Sequence, residues 1–156
     1  MEVRTILWPT DLSKNSIKAA KHVESLAQQY QAKVILLYVG VDLMNYFPAY
    51  GNYPSEEHLH HFQNWEITHA KKKLESVCEK ELKACPNIEI RLVQGDAAAE
   101  ILKMIKQEKA DMVVMTTHGR GAEALDQMGP EFGSVARRVI ASSPVPVHLI
   151  NPLQAA

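Results

Sequence analysis

Apolar residues gather in five short runs: Val3–Trp8, Val34–Val39, Ile88–Val93, Met112–Thr116 and Val145–Ile150. Each is bounded by polar residues, glycine or proline, as strands are. Between them the apolar spacing lengthens to three and four. Ile17, Ala20, Val23, Ala27 and Tyr30 mark one helical face. A long helix is predicted from about Ser55 to Lys83, with Leu59, Phe62, Ala70, Leu74 and Val77 on its buried side. Ile101, Leu102 and Ile105 mark a third helix, and Val135, Ala136, Val139 and Ile140 a fourth.

Strand and helix in alternation predict an α/β fold, a parallel sheet with helices on both faces. Met112-Val113-Val114-Met115 is apolar throughout and suits a central strand. Ile88-Glu89-Ile90-Arg91-Leu92 alternates, as a strand with one wetter face does. Pro146 cannot donate to a ladder, so the last strand belongs at an edge. The resulting order is 3-2-1-4-5, an open Rossmann-like sheet. Its first and fourth strands meet at the switch point, where such sheets hold ligands beyond their carboxyl ends. The segments that follow Trp8 and Met115 are therefore the ones to examine.

After the first strand comes Pro9-Thr10-Asp11-Leu12-Ser13. Asp11 is placed to accept a hydrogen bond from a ligand, and Asp11 or Ser13 equally suits a helix cap. After the fourth comes Thr116-Thr117-His118-Gly119-Arg120-Gly121, and Gly133-Ser134-Val135 opens the last helix. Glycines allow close backbone approach, and a helix start offers N–H groups to an anion; an ordinary turn with a Ser or Gly cap is the plainer alternative. His118 lacks a second acid, base or nucleophile at a telling spacing, so no catalytic residue is assigned. Arg120 suits a phosphate or a solvated loop. His58, His60, His61 and His69 lack an H-E-x-x-H pattern and read as an exposed helix face rather than a metal site. The connection from Gly40 to Pro54 carries Tyr46, Phe47, Tyr50 and Tyr53, and suits a lid, a partner surface or, equally, packing over the second helix.

Composition narrows the class further. The 156 residues are 46% apolar and 22% charged, enough for one folded domain spanning residues 1–156 without disulfides or metal. A net charge of -1 without any basic block argues against nucleic acid or an anionic membrane as partner. Met1-Glu2-Val3-Arg4 does not begin a secretory signal, and no apolar stretch approaches the ~20 residues that cross a bilayer. Cys78 and Cys85 do not form a disulfide framework, so a cytoplasmic location is expected.

The ordered pieces Ile6-Leu7-Trp8-Pro9-Thr10-Asp11-Leu12-Ser13, Val34-Ile35-Leu36-Leu37-Tyr38-Val39, Gly95-Asp96, Met115-Thr116-Thr117-His118-Gly119-Arg120-Gly121, Gly133-Ser134-Val135 and Pro144-Val145-Pro146-Val147 resemble the universal stress proteins, from about residue 2 to residue 151. The resemblance implies the same five-stranded fold and a homodimer paired through the last strand, Val145 to Ile150. It implies a stress-response module that holds ATP, with Mg2+ as companion, and turns it over slowly or not at all. Asp11 and Val39 would receive the base. Thr116, Gly119, Gly133, Ser134 and Val135 would form the phosphate loop, with Pro9, Thr10, Met115, His118 and Arg120 around them. Thr116 stands where the family's motif has its first glycine, and thirteen residues rather than nine separate Gly119 from Gly133. Those two departures favour an alternative, a dimeric interaction protein without nucleotide, in which Ser134 is only a cap. An adenylate-forming or hydrolytic enzyme would need further catalytic segments.

Overall fold

Residues of β1 (Thr5–Thr10) address opposite faces of the sheet in strict alternation, and this alternation sorts the helices. Ile6 and Trp8 join Val34, Leu36, Val114 and Ile150 in one apolar layer, under helices α2 (Ala20–Tyr30) and α3 (Glu56–Glu81). Leu7 joins Ile35, Leu37, Val113 and Met115 in the other, under α4 (Ala97–Gln107) and α5 (Ser134–Ser142). The computed structural model describes residues 1–40, 55–119 and 133–154, the side chain of Glu56 excepted.

The remaining elements are α1 (Lys14–Ile17), β2 (Lys33–Gly40), β3 (Asn87–Gln94), β4 (Met112–Thr116) and β5 (Val147–Ile150). All five strands are parallel, in the order β3-β2-β1-β4-β5 predicted from the sequence. β3 holds the charged edge: Arg91 bonds Glu89 at 2.6 Å and Glu108 at 2.7 Å, which discourages edge-to-edge pairing there.

Several boundaries differ from expectation for physical reasons. β1 begins at Thr5 rather than Val3 and runs on through Pro9 to Thr10. The Arg4 carbonyl accepts from Lys33 N–H and the Thr5 carbonyl from Asp111 N–H, so successive residues bond to opposite neighbours. Pro9, in phase with Thr5, turns its edge without an N–H toward β4. β1 pairs with β2 as far as Thr10, but with β4 only at Ile6 and Leu7. Proline thus leaves one ladder intact and helps to end the other, which opens the crevice between β1 and β4.

The single helix expected up to Tyr30 is broken at Lys18–Ala19 into α1 and α2. On α3, Leu59, Ala70 and Leu74 are buried as expected, whereas Phe62 is 60% exposed. The buried polar Gln63 takes the inward position beside it. On α5, Ile140 is likewise exposed, and Ala136 and Val139 do the packing. β5 starts two residues late, at Val147, because Pro146 supplies only its carbonyl, to Val113 N–H at 3.0 Å.

Asp96 caps α4 by accepting from Ala99 N–H at 2.9 Å, and it bonds Arg138 of α5 at 2.8 Å. The Arg138 hydrogen bond, then the Ala99 N–H, hold its carboxyl below the usual carboxylate value. The pair is exposed and screened, so the cap carries most of the stability, and Asp96→Ala is expected to cost about 1 kcal/mol at pH 7. A depressed carboxyl stabilises fully above its unfolded pKa, near 4, and ceases to do so as pH falls through its lower folded value. Urea unfolding of both proteins should therefore show the gap at pH 7 and its closure in acid. A gap that persists at low pH would mean Asp96 acts by something other than its charge.

Candidate functional site

Two loops meet at the crevice. The first leaves β1 at Thr10 and is tied down by its own short side chains. Thr10 Oγ1 accepts from Leu12 N–H at 3.0 Å and lies 2.7 Å from Ser16 Oγ. Asp11 Oδ1 accepts from Ser13 N–H at 2.9 Å, and Ser13 Oγ caps α1 by accepting from Ser16 N–H at 3.1 Å. Leu12 is held at φ 63°, an uncommon conformation for a residue with a β-carbon. The two alternatives for Asp11 and Ser13 thus separate: Ser13 is the cap, and Asp11 is left at the mouth of the crevice.

The second loop leaves β4 at Thr116. Its hydroxyl donates to the His118 carbonyl at 2.7 Å, and Thr117 N–H donates to Ile150 O at 2.9 Å. His118 is buried, its Nδ1 2.8 Å from Thr117 Oγ1. Threonine at position 116 therefore fixes the start of the turn from within the sheet, so a glycine's freedom is not needed there.

Among the described residues, the loops meet at Gly119 and Asp11. A β-carbon there would collide with the Asp11 carboxylate and stand 3.1 Å from Asp11 Cγ. The Gly119 φ is not left-handed, so the glycine is required here for space alone. Asn15 Nδ2 reaches the Gly119 carbonyl at 3.4 Å and joins the loops from the α1 side. Gly133 N–H donates to Thr117 O at 2.7 Å, which brings the start of α5 to the same place. Gly133, not Ser134, is the N-cap, and no side chain caps the helix. Ser134 is its exposed first residue, so its reading as a cap is corrected. The β1–β2 register ends at Thr10↔Tyr38, so Asp11 and Val39 are the residues that follow that pair.

Pro9, Thr10, Asp11, Val39, Met115, Thr116, His118 and Gly119 thus lie at or next to the carboxyl ends of β1, β2 and β4, and the Thr117–Gly133 bond ties the start of α5, with Ser134 and Val135, to the same region. Arg120, Gly121 and residues 41–54, which include the aromatic run Tyr46 to Tyr53, lie outside the described residues. Asn15 and Thr117 are site residues that sequence reasoning passed over. Asn15 looks like any polar residue in a first helical turn, and only its burial and its reach to Gly119 distinguish it. The four histidines of α3 are spread along its exposed side; His58 bonds the Ser55 cap and His69 stacks on Trp65. Among the described residues, no three potential metal ligands converge.

An open parallel sheet whose strand order reverses between β1 and β4 defines the class of doubly wound α/β proteins, with Gly119 and the start of α5 converging at the switch point. Within that class, the chain belongs to the universal stress protein family, whose profile matches residues 2–151. A universal stress protein of Methanocaldococcus jannaschii is 33% identical over 151 residues, covering 95% of this chain and 82% of the relative. The universal stress protein UspA from Lactobacillus plantarum has the same fold, with a TM-score of 0.80 and 24% identity over 97% of this chain and 99% of that one. The Archaeoglobus fulgidus universal stress protein, in complex with dAMP, is similar at a TM-score of 0.64 and 19% identity, covering 97% and 100%. No described helix is long and apolar enough to cross a membrane.

Proposed function

We propose that this chain is an adenine-nucleotide-binding stress protein. The reading rests on the apposition of Asp11 and Gly119 across the switch point. A carboxylate held by Ser13 N–H can accept from the exocyclic amine of adenine, while Val39 supplies an apolar wall. The glycine lets backbone approach where a β-carbon would block it. Beyond it, the first-turn N–H groups of α5, uncapped by a side chain and joined by the Ser134 hydroxyl, suit phosphate. Among solved structures of this fold, the Archaeoglobus fulgidus protein holds dAMP.

ATP is the ligand this reading favours, with Mg2+ brought by the triphosphate oxygens. Turnover is slow or absent on the same reading, because His118 is buried and bonded into its own loop. The protein works as a homodimer in the cytoplasm, paired through Val145 to Ile150, since β5 has β4 on one side only.

Calorimetric titration of nucleotide-free protein with Mg-ATP tests the site, and light scattering on the same sample reads the dimer mass. Micromolar binding is expected. Asp11→Ala should weaken it by about tenfold or more, as loss of a hydrogen bond to a charged group does. Ser134→Ala should weaken it by a smaller factor. Absence of heat from well-folded protein would sink the nucleotide reading and favour the interaction protein.

A further inference from the structure

The α2/α3 side of the sheet carries a second concavity, independent of the nucleotide reading. An open groove of about 320 Å3 lies between α3 and the ends of β1 and β2, with Leu12 and Tyr38 on one wall. On the other wall α3 sets out Phe62 and Trp65, 60% and 56% exposed, with the buried Ala70 also lining the groove. Large aromatic rings left this open beside a concavity mark a binding surface more often than scattered exposure does.

The rings are held rather than loose. Trp65 stacks on His69 with centroids 4.1 Å apart and planes 29° from parallel. Tyr38 OH donates to Glu66 Oε1 at 2.9 Å, which fixes the Tyr38 ring and occupies one carboxylate oxygen at that end. Lys73 follows Glu66 by seven residues on the same helix face, about 10 Å further along the axis. Lys73 makes no ion pair among the described residues. The groove therefore sets Phe62, Trp65 and the Glu66 carboxylate in its first half and the Lys73 cation at its other end. Its volume is at the small end of the range for small-molecule sites.

We propose that this groove binds a planar aromatic acid, its rings against Trp65 and Phe62 and its anionic group at Lys73. Flat rings match a preformed aromatic plate. The lysine selects an anion over a neutral or cationic aromatic, and the Glu66 carboxylate beside Trp65 sets the orientation by repelling the acid group toward Lys73.

Calorimetric titration with 2-naphthoate and with neutral 2-naphthamide tests the proposal on wild type, Trp65→Ala and Lys73→Gln. Both side chains are exposed, so the fold should survive, and circular dichroism checks it. Saturable 1:1 binding of 2-naphthoate is expected, weakened about tenfold by Trp65→Ala, in the range that stacked rings contribute. Lys73→Gln should weaken 2-naphthoate several-fold and leave 2-naphthamide unchanged. Absence of saturable binding, or binding indifferent to both substitutions, overturns the proposal. Sedimentation velocity that shows Trp65→Ala altering self-association would also overturn it, by assigning the face to a contact between copies.

Discussion

Gly119→Ala should weaken nucleotide binding about tenfold to a hundredfold while leaving the sheet intact. The added methyl must displace the Asp11 carboxylate, whose atoms are the nearest to it. Asp11 cannot swing away freely. Its Oδ1 holds Ser13 N–H, and Ser13 in turn caps α1. Overpacking of this kind typically costs about 1–3 kcal/mol, shared between stability and a distorted site. A displacement of about 1 Å or more at Asp11 removes its hydrogen bond to the base, so affinity should fall about tenfold to a hundredfold. The double variant Asp11→Ala/Gly119→Ala separates the two effects. Removing the carboxylate relieves the clash, so the double variant should unfold at a urea midpoint no lower than Asp11→Ala alone, yet bind no better. Coupling of this sign is what contacting residues show. Wild-type affinity in Gly119→Ala would mean that Asp11 does not face the ligand.

That Asp11 and Gly119 were both legible in the sequence, and their contact was not, illustrates what a one-dimensional pattern carries. Short apolar runs identified all five strands, and the polarity of β3 and the proline before β5 placed the edges. Strand order then pointed to the residues after Trp8 and Met115. Pro9, however, reads as a strand terminator, and the structure absorbs it because its missing N–H faces only one of two neighbours. Phe62 departs in a similar way. Periodicity counts it inward, but Gln63 occupies that direction and the ring is turned to the groove. The departure at Thr116 and the capping role open to Ser134 look different once side chains are in place. Thr116 spends its hydroxyl on His118 O, and Gly133 takes the capping position. Neither fact follows from spacing, because each depends on where a loop closes in three dimensions.

Trp8 carries the largest expected effect on stability, and two substitutions there should differ sharply in cost. It is fully buried in the layer beneath α2 and α3, yet its indole Nε1 has no hydrogen-bond partner among the described residues. Trp8→Ala should cost about 3–5 kcal/mol, from lost apolar burial and from the cavity left among Val23, Leu36 and Leu74. Trp8→Phe removes less volume and also removes the unpartnered donor, whose desolvation works against the native state by about 1–3 kcal/mol. The two contributions oppose, so phenylalanine should cost less than about 1.5 kcal/mol. Urea unfolding monitored by circular dichroism distinguishes the cases, since removing Trp8 alters the fluorescence signal itself. A phenylalanine variant as unstable as the alanine one would mean that indole shape, rather than burial, holds β1 in place. Because Trp8 points away from the layer that holds Val39 and Met115, Mg-ATP affinity of folded Trp8→Phe should stay within about threefold of wild type, a change of ~0.7 kcal/mol. Loss of binding with retained stability would instead show that the sheet transmits packing from one face to the crevice.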